Sequence, residues 1–132
     1  MNKNNVLKEK NISPNLIKII EEKYLKENVL LTENKERIEV GDIIRLNYSI
    51  LEGDKERIQS YEGLIISISN RGLGKSFTLR RMVQGIGVEQ IFLANSPKII
   101  SIVKKQSSKV RRAKLYFIRF LRGKSTRLKP KL

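Results

Sequence analysis

The sequence contains no cysteine, no histidine and no tryptophan among its 132 residues. Without cysteine there is no disulfide framework and no thiolate metal site. Without histidine, the commonest metal ligand and the commonest general base near neutral pH are missing. Neither a Ser-His-Asp set nor a Cys-His pair can be assembled. Long apolar runs are also absent, so neither a secretory leader nor a membrane-spanning helix is expected. The opening MNKNNVLKEKN lacks the Arg- and Ser-rich look of an organelle transit peptide. Acid, too, runs out early: all 13 Asp and Glu lie at or before Glu89.

What is there is charge of the other sign. The first 89 residues carry 15 Lys and Arg against all the acid, and residues 90–132 carry the other 13 with none. The net charge of +15 therefore sits at one end of a nearly neutral body. Like charges at that density repel unless a polyanion neutralises them, so the partner is nucleic acid before an acidic membrane surface. The basic tail beyond Gly123 has no apolar anchors and the chain no interfacial Trp, which turns the reading away from membranes. Neither a cofactor, a metal nor a small-molecule substrate is expected.

Ser13-Pro14 is a helix start, with Ser as N-cap and Pro at the first helical position. Leu16, Ile17, Ile20 and Tyr24 follow at helical spacing, which predicts an amphipathic helix over 14–27. Residues 32–39 read as a connector. From Val40 the period becomes two. Ile44, Leu46, Tyr48 and Ile50 alternate with polar residues, a turn occupies 52–55, and 57–69 places Leu64, Ile66 and Ile68 on one face. Residues 76–83, 88–93 and 99–103 continue the pattern, with Gly85-Ile86-Gly87 as a tight turn. About six short strands at roughly 10-residue spacing predict a small all-β barrel or sandwich. The organisation expected is 1–39 helix and connector, 40–105 β-barrel, and 106–132 basic extension.

KVRRAKLYFIRFLR (109–122) does not alternate. On a helical wheel Val110, Ala113, Phe117, Phe120 and Leu121 gather on one side, and Arg111, Arg112, Arg119 and Arg122 on the other. That predicts a basic amphipathic helix stopped by Gly123, with Leu115 and Ile118 interrupting its charged face. The tail KSTRLKPKL is too polar and charged to fold alone and reads as extended.

RGLGKS (71–76) resembles the end of a nucleotide-binding phosphate loop. That loop needs a glycine five residues before Gly74, where Ser69 stands, and a helix after it. FTLRRMV alternates like a strand instead. The expected structure is a hairpin loop with Gly72 and Gly74 at positive φ. Gly85-Ile86-Gly87 likewise lacks the third glycine of a dinucleotide fingerprint, since position 90 is Gln90. Asp42, Glu52, Asp54 and Glu62 sit beside bases and read as surface charges. An enzyme is not expected.

The cations are then candidate RNA contacts. Arg71, Lys75, Arg80 and Arg81 come from the loop and its flanking strand, and Lys98 from the approach to the last strand. Lys109, Arg111, Arg112, Lys114, Arg119, Arg122, Lys124, Arg127 and Lys129 come from the C-terminal region. Arg offers a bidentate fork to phosphate and a plane for stacking. Tyr116 either stacks on a base or covers the core. An unfolded basic tail suits an irregular RNA surface. A free RNA- or DNA-binding regulator with the same barrel is the alternative.

KVRRAKLYFIRFLRGKSTR (109–127) closely resembles the C-terminal signature of the bacterial-type large-subunit ribosomal protein nineteen family. VGDIIRL (40–46), GDKERIQSYEGLII (53–66), FTLRRMVQGIGVEQIF (77–92) and NSPKI (95–99) agree with it in order. The resemblance implies a translation-type SH3-like barrel with a basic helical C-terminus and a structural role on the large ribosomal subunit. It implies contact with large-subunit rRNA near the subunit interface, bridges to small-subunit rRNA, and ribosomal proteins three and fourteen as neighbours. Lys109, Arg111, Arg112, Lys114, Arg122, Lys124 and Arg127 match the family's basic positions. Phe92-Leu93 departs from the usual bacterial Phe-Pro, and Gln84-Gly85 is similar to the wording of algal plastid-encoded members. With the richness in Lys, Ile and Asn, this favours a plastid ribosome over a bacterial one.

Overall fold

The structure is a computed structural model that describes residues 14–30 and 36–131. The Ser13 cap, residues 1–12, positions 31–35, which include half of the 32–39 connector, and residue 132 lie outside the described residues. Helix α1 spans Pro14–Leu30, three residues beyond the expected end. Its stripe of Leu16, Ile17, Ile20 and Tyr24 is not buried and stays about half exposed. The helix meets the loop at Gly72, whose ideal Cβ position lies 2.8 Å from a Glu21 carboxylate oxygen.

Among the described residues there are five strands rather than about six: β1 (Ile43–Glu52), β2 (Lys55–Ser69), β3 (Ser76–Val83), β4 (Ile86–Leu93) and β5 (Ile99–Gln106). They form one sheet in the order β4-β3-β2-β1-β5, antiparallel throughout. Short hairpins dictate this meander. Gly53-Asp54 joins β1 to β2. Gln84-Gly85 joins β3 to β4 with φ of 51° and 78°, and two positive φ values in a two-residue loop match the right-handed twist of the flanking strands. The tight turn is thus one residue earlier than expected, and Ile86 and Gly87 already belong to β4. In the 70–75 loop a short 3-10 turn spans Gly72–Gly74, and only Gly72 of the two glycines has positive φ. Ser76 then opens a strand, so the RGLGKS segment leads into no helix.

The sheet curls until its two edges share one core. Phe92 on β4 has its ring 5.5 Å from both Tyr48 on β1 and Tyr61 on β2, and 5.8 Å from Phe77 on β3. Ile99 and Ile102 of β5 join Ile44, Leu46, Ile65 and Leu79 around them. The result is mainly β and barrel-like.

β2 breaks its own alternation. Ile65 pairs with Leu79 but Ser67 pairs with Thr78, so Ile66 is an extra residue, a β-bulge. Ile65 and Ile68 therefore face the barrel core, while Leu64 and Ile66 face outward. The expected common face of Leu64, Ile66 and Ile68 does not exist. The bulge gives β2 two apolar faces, and the outer one needs a cover.

Residues 107–131 are that cover, and the expected α-helix over 109–122 is not formed. The chain runs irregularly, with 3-10 turns at Tyr116–Phe120 and Gly123–Thr126. Leu115 and Ile118, 1% and 3% exposed, pack on Ile66 with Val110, Phe117 and Leu128 around them. The Leu115 N–H donates to the Ile66 carbonyl at 2.8 Å. A helix would turn Leu115 and Ile118 to the charged side and bring Lys109 near Arg112 and Arg111 near Lys114, like charges at helical spacing. Burial on the bulge wins. Phe120, placed on the wheel's apolar side, is 87% exposed.

The tail also folds back. Lys109 N–H donates to the Lys129 carbonyl at 2.9 Å, and Lys131 N–H to the Ser107 carbonyl at 2.7 Å. The C-terminal region is thus a closed strap lying across the outer face of the sheet.

Candidate nucleic-acid interface

The strap is held at three points. The first is the Val40-Gly41-Asp42 turn. Gly41 N–H donates to the Ile65 carbonyl and Ile65 N–H to the Asp42 carbonyl, each at 2.9 Å. Gly41 has φ of 94°, and a Cβ there would stand 2.7 Å from Val110 Cγ1, so glycine lets the strap's first apolar residue come down on the turn. Asp42, expected at the surface, is buried: Oδ2 accepts the Glu39 N–H at 2.9 Å and pairs with Lys104 Nζ at 3.0 Å.

The second is the bulge already described. The third is Glu89, the last acid of the chain. Arg119 of the strap donates Nε to its Oε1 and Nη2 to its Oε2, both at 2.7 Å, and Arg80 of β3 reaches Oε1 at 2.9 Å. The Arg119 hydrogen bonds, with help from Arg80, hold the Glu89 carboxyl below the usual carboxylate value and raise the Arg119 guanidinium further. Gly87 belongs to this latch, because a Cβ there would collide with the Arg80 guanidinium.

These contacts sort the candidate residues. Arg80 and Arg119 are engaged with Glu89. Arg81 lies 3.8 Å over the Tyr61 ring, and its buried Nε has no hydrogen-bond partner among the described residues. Lys114 is exposed but donates Nζ to the Ile68 carbonyl at 2.8 Å. Tyr116 is exposed rather than in the core, with the Arg119 guanidinium 4.5 Å over its ring. Arg71, Lys75 and Lys98 lie on the 70–75 loop and before β5, outside the strap. Lys109, Arg111, Arg112, Arg122, Lys124, Arg127 and Lys129 are exposed along the strap.

Five of them are gathered into one place. The bonds between 107–109 and 129–131 set the outgoing and returning runs of the strap side by side. Between them is a groove of about 630 Å³ lined by Lys109, Arg111, Arg112, Arg127 and Lys129, with Val110, Leu115, Phe117 and Leu128. No acid lines it. Arg112 hangs 5.2 Å over the Phe117 ring. A smaller cavity of about 410 Å³ beneath the strap holds Arg80 and Arg81 and shares Arg127 and Leu128 with the groove.

The anchors Leu115, Ile118 and Glu89 were not read as functional in the sequence. The signals were there: the two apolar residues that broke the wheel, and one acid at the edge of an acid-free region. Among the described residues no cluster of His, Cys, Asp or Glu fits a metal ion. No described helix is long and apolar enough to cross a membrane.

A family model described as ribosomal protein L19 matches residues 15–131. The large ribosomal subunit protein bL19c of Phaeodactylum tricornutum is 47% identical over 114 residues, covering 86% of this chain and 90% of that protein. The large ribosomal subunit protein bL19 of Gloeothece citriformis is 47% identical over 88% of this chain and 92% of its own length. That of Thermosynechococcus vestitus is 52% identical over 71% and 78%.

Proposed function

The chain belongs to the ribosomal protein L19 family, a family of structural ribosomal proteins and not of enzymes, and on that premise we propose how it works in the large ribosomal subunit: it binds large-subunit rRNA through the strap 107–131. One observation carries this reading. The strap 107–131 is folded down by its apolar residues and by Glu89, so its cations are fixed in an outward array rather than left on a mobile tail. A fixed array gives up less conformational entropy on binding than a disordered one. Lys109, Arg111, Arg112, Arg122, Lys124, Arg127 and Lys129 are the primary contacts. Arg71, Lys75 and Lys98 make peripheral ones. Arg80 and Arg119 act mainly by holding the strap, and Lys114, Tyr116 and Arg81 support its edges.

The meander, the bent β2 and the closure of β5 on β1 support the SH3-like barrel that the family resemblance implies. From that resemblance we also take the place near the subunit interface, with ribosomal proteins three and fourteen beside it and small-subunit rRNA across it. Relatives of the plastid bL19c kind and bacterial bL19 match at similar identity. The Gln84-Gly85 wording and the Lys-, Ile- and Asn-rich composition favour the plastid ribosome.

The test is sedimentation of native extract after a high-salt wash, with quantitative mass spectrometry across the gradient. The expected result is one copy per large subunit. A chain that stays at the top of the gradient is a free nucleic-acid-binding factor, and the ribosomal reading fails.

A further inference from the structure

The groove has features that phosphate neutralisation alone does not require. Cations on an open surface suffice for a backbone contact, as in any non-specific complex. Here the cations form a rim, and beneath it is an apolar floor of Leu115, Phe117 and Leu128. At about 630 Å³ the groove is in the size range of sites that enclose a small organic molecule, far smaller than a duplex needs. An apolar floor below an acid-free basic rim fits one flat, uncharged group carried between two negative ones. That is the shape of a nucleotide whose base has left the stack. Unstacked bases are what proteins most often read in RNA, by stacking on aromatic rings and guanidinium planes. Phe117 supplies the ring, and Arg112, now 5.2 Å over it, supplies the plane once it lifts to admit a base between them.

Resting on the RNA-binding reading above, we propose that this groove takes one unpaired nucleotide of the bound RNA. The base enters over Phe117 and Leu128. The phosphate on one side meets Arg111, and the phosphate on the other meets Arg127 and Lys129. The occupant is thus a bulged or looped-out residue, not a paired segment. The groove owes its existence to strap closure, because the backbone bonds between Ser107–Lys109 and Lys129–Lys131, with Val110 and Leu128 packed on one apolar cluster, bring the two basic runs together.

Two RNA hairpins of the same stem test this with the full chain. One is fully paired, and the other carries a single bulged 5-iodouridine, which photocross-links to a ring stacked on it. The bulged hairpin is expected to bind roughly 10-fold tighter, the scale of one base stacked on an aromatic side chain. Its cross-link should map to Phe117. Phe117→Leu keeps the floor apolar and filled, so the fold is retained. It should lose the cross-link and most of the preference while binding the paired hairpin as before. Equal binding of the two hairpins, or a cross-link that maps elsewhere while both bind, overturns the nucleotide site and leaves RNA binding intact. If neither hairpin binds at low salt, RNA binding itself fails and the site falls with it. Because the binding and cross-link readouts use the unaltered protein, a poorly folding variant does not decide the outcome.

Discussion

Gly41 shows how much one residue carries. At φ of 94° and with Val110 Cγ1 2.7 Å from where its Cβ would be, it is excluded from substitution twice. Gly41→Ala should cost about 2–4 kcal/mol, part from backbone strain and part from the collision with Val110. Adding Val110→Ala should relieve the collision but not the strain, so the double mutant should be more stable than the two single costs sum to. Chemical denaturation of the four proteins measures that coupling. Glu89 makes a different kind of statement. Its carboxyl is held below the ordinary value of 4.5, chiefly by Arg119. A depressed folded pKa stabilises fully above the unfolded value and loses its effect as pH falls through the folded one. Stability should therefore decline below about pH 4.5, and Glu89→Gln should be less stable at neutral pH but show a shallower acid decline. Equal acid slopes in the two proteins would contradict the latch.

The strap is the element whose form and purpose diverge most from its sequence pattern. Leu115→Ala should cost about 2–5 kcal/mol, since it opens a cavity over Ile66. Phe120→Ala, at a position 87% exposed, should change stability by less than about 0.5 kcal/mol. A helix built on the wheel's apolar side demands the opposite ranking, so thermal melts of the two variants discriminate directly. The contrast also shows what the sequence could reveal. Strands β1, β3 and β4 were legible because each keeps one parity along its length; β5 was legible as a strand, but a register shift opposite Asn47–Tyr48 puts both Ile99 and Ile102 in the core. The inner and outer faces of β2 were not, because parity reverses at Ile66 and a period test assumes that it does not. The strap was misread for a related reason. Its fold depends on Leu115 meeting Ile66, 49 positions earlier, and no local periodicity records a contact at that range. The basic character of the interface was plain from composition, whereas the groove was not, since Lys109–Arg112 and Arg127–Lys129 meet through backbone bonds across the strap's ends and through Val110 and Leu128 on one apolar cluster, neither of which a local pattern records.

For the whole molecule, the division of charge is a division of labour. The nearly neutral first part makes most of the curled sheet, the acid-free remainder adds the end of β4 and all of β5, and its strap 107–131 is spread over a second, smaller core on the outside. If six to ten phosphates are engaged, affinity for RNA should fall roughly 10³–10⁵-fold between 50 and 200 mM salt. Arg111→Gln with Arg112→Gln should flatten the log–log salt slope by roughly two contacts' worth while leaving the melting temperature near that of the parent, because both side chains are exposed. A single measurement bears on all of this: short-wavelength ultraviolet cross-linking of intact large subunits, with the RNA-linked peptides of this chain mapped by mass spectrometry. Cross-links should concentrate in residues 109–129, with fewer at the 70–75 loop. If the strap peptides are recovered unlinked while α1 or the barrel hairpins carry the RNA, the strap is a structural cover and not the RNA anchor.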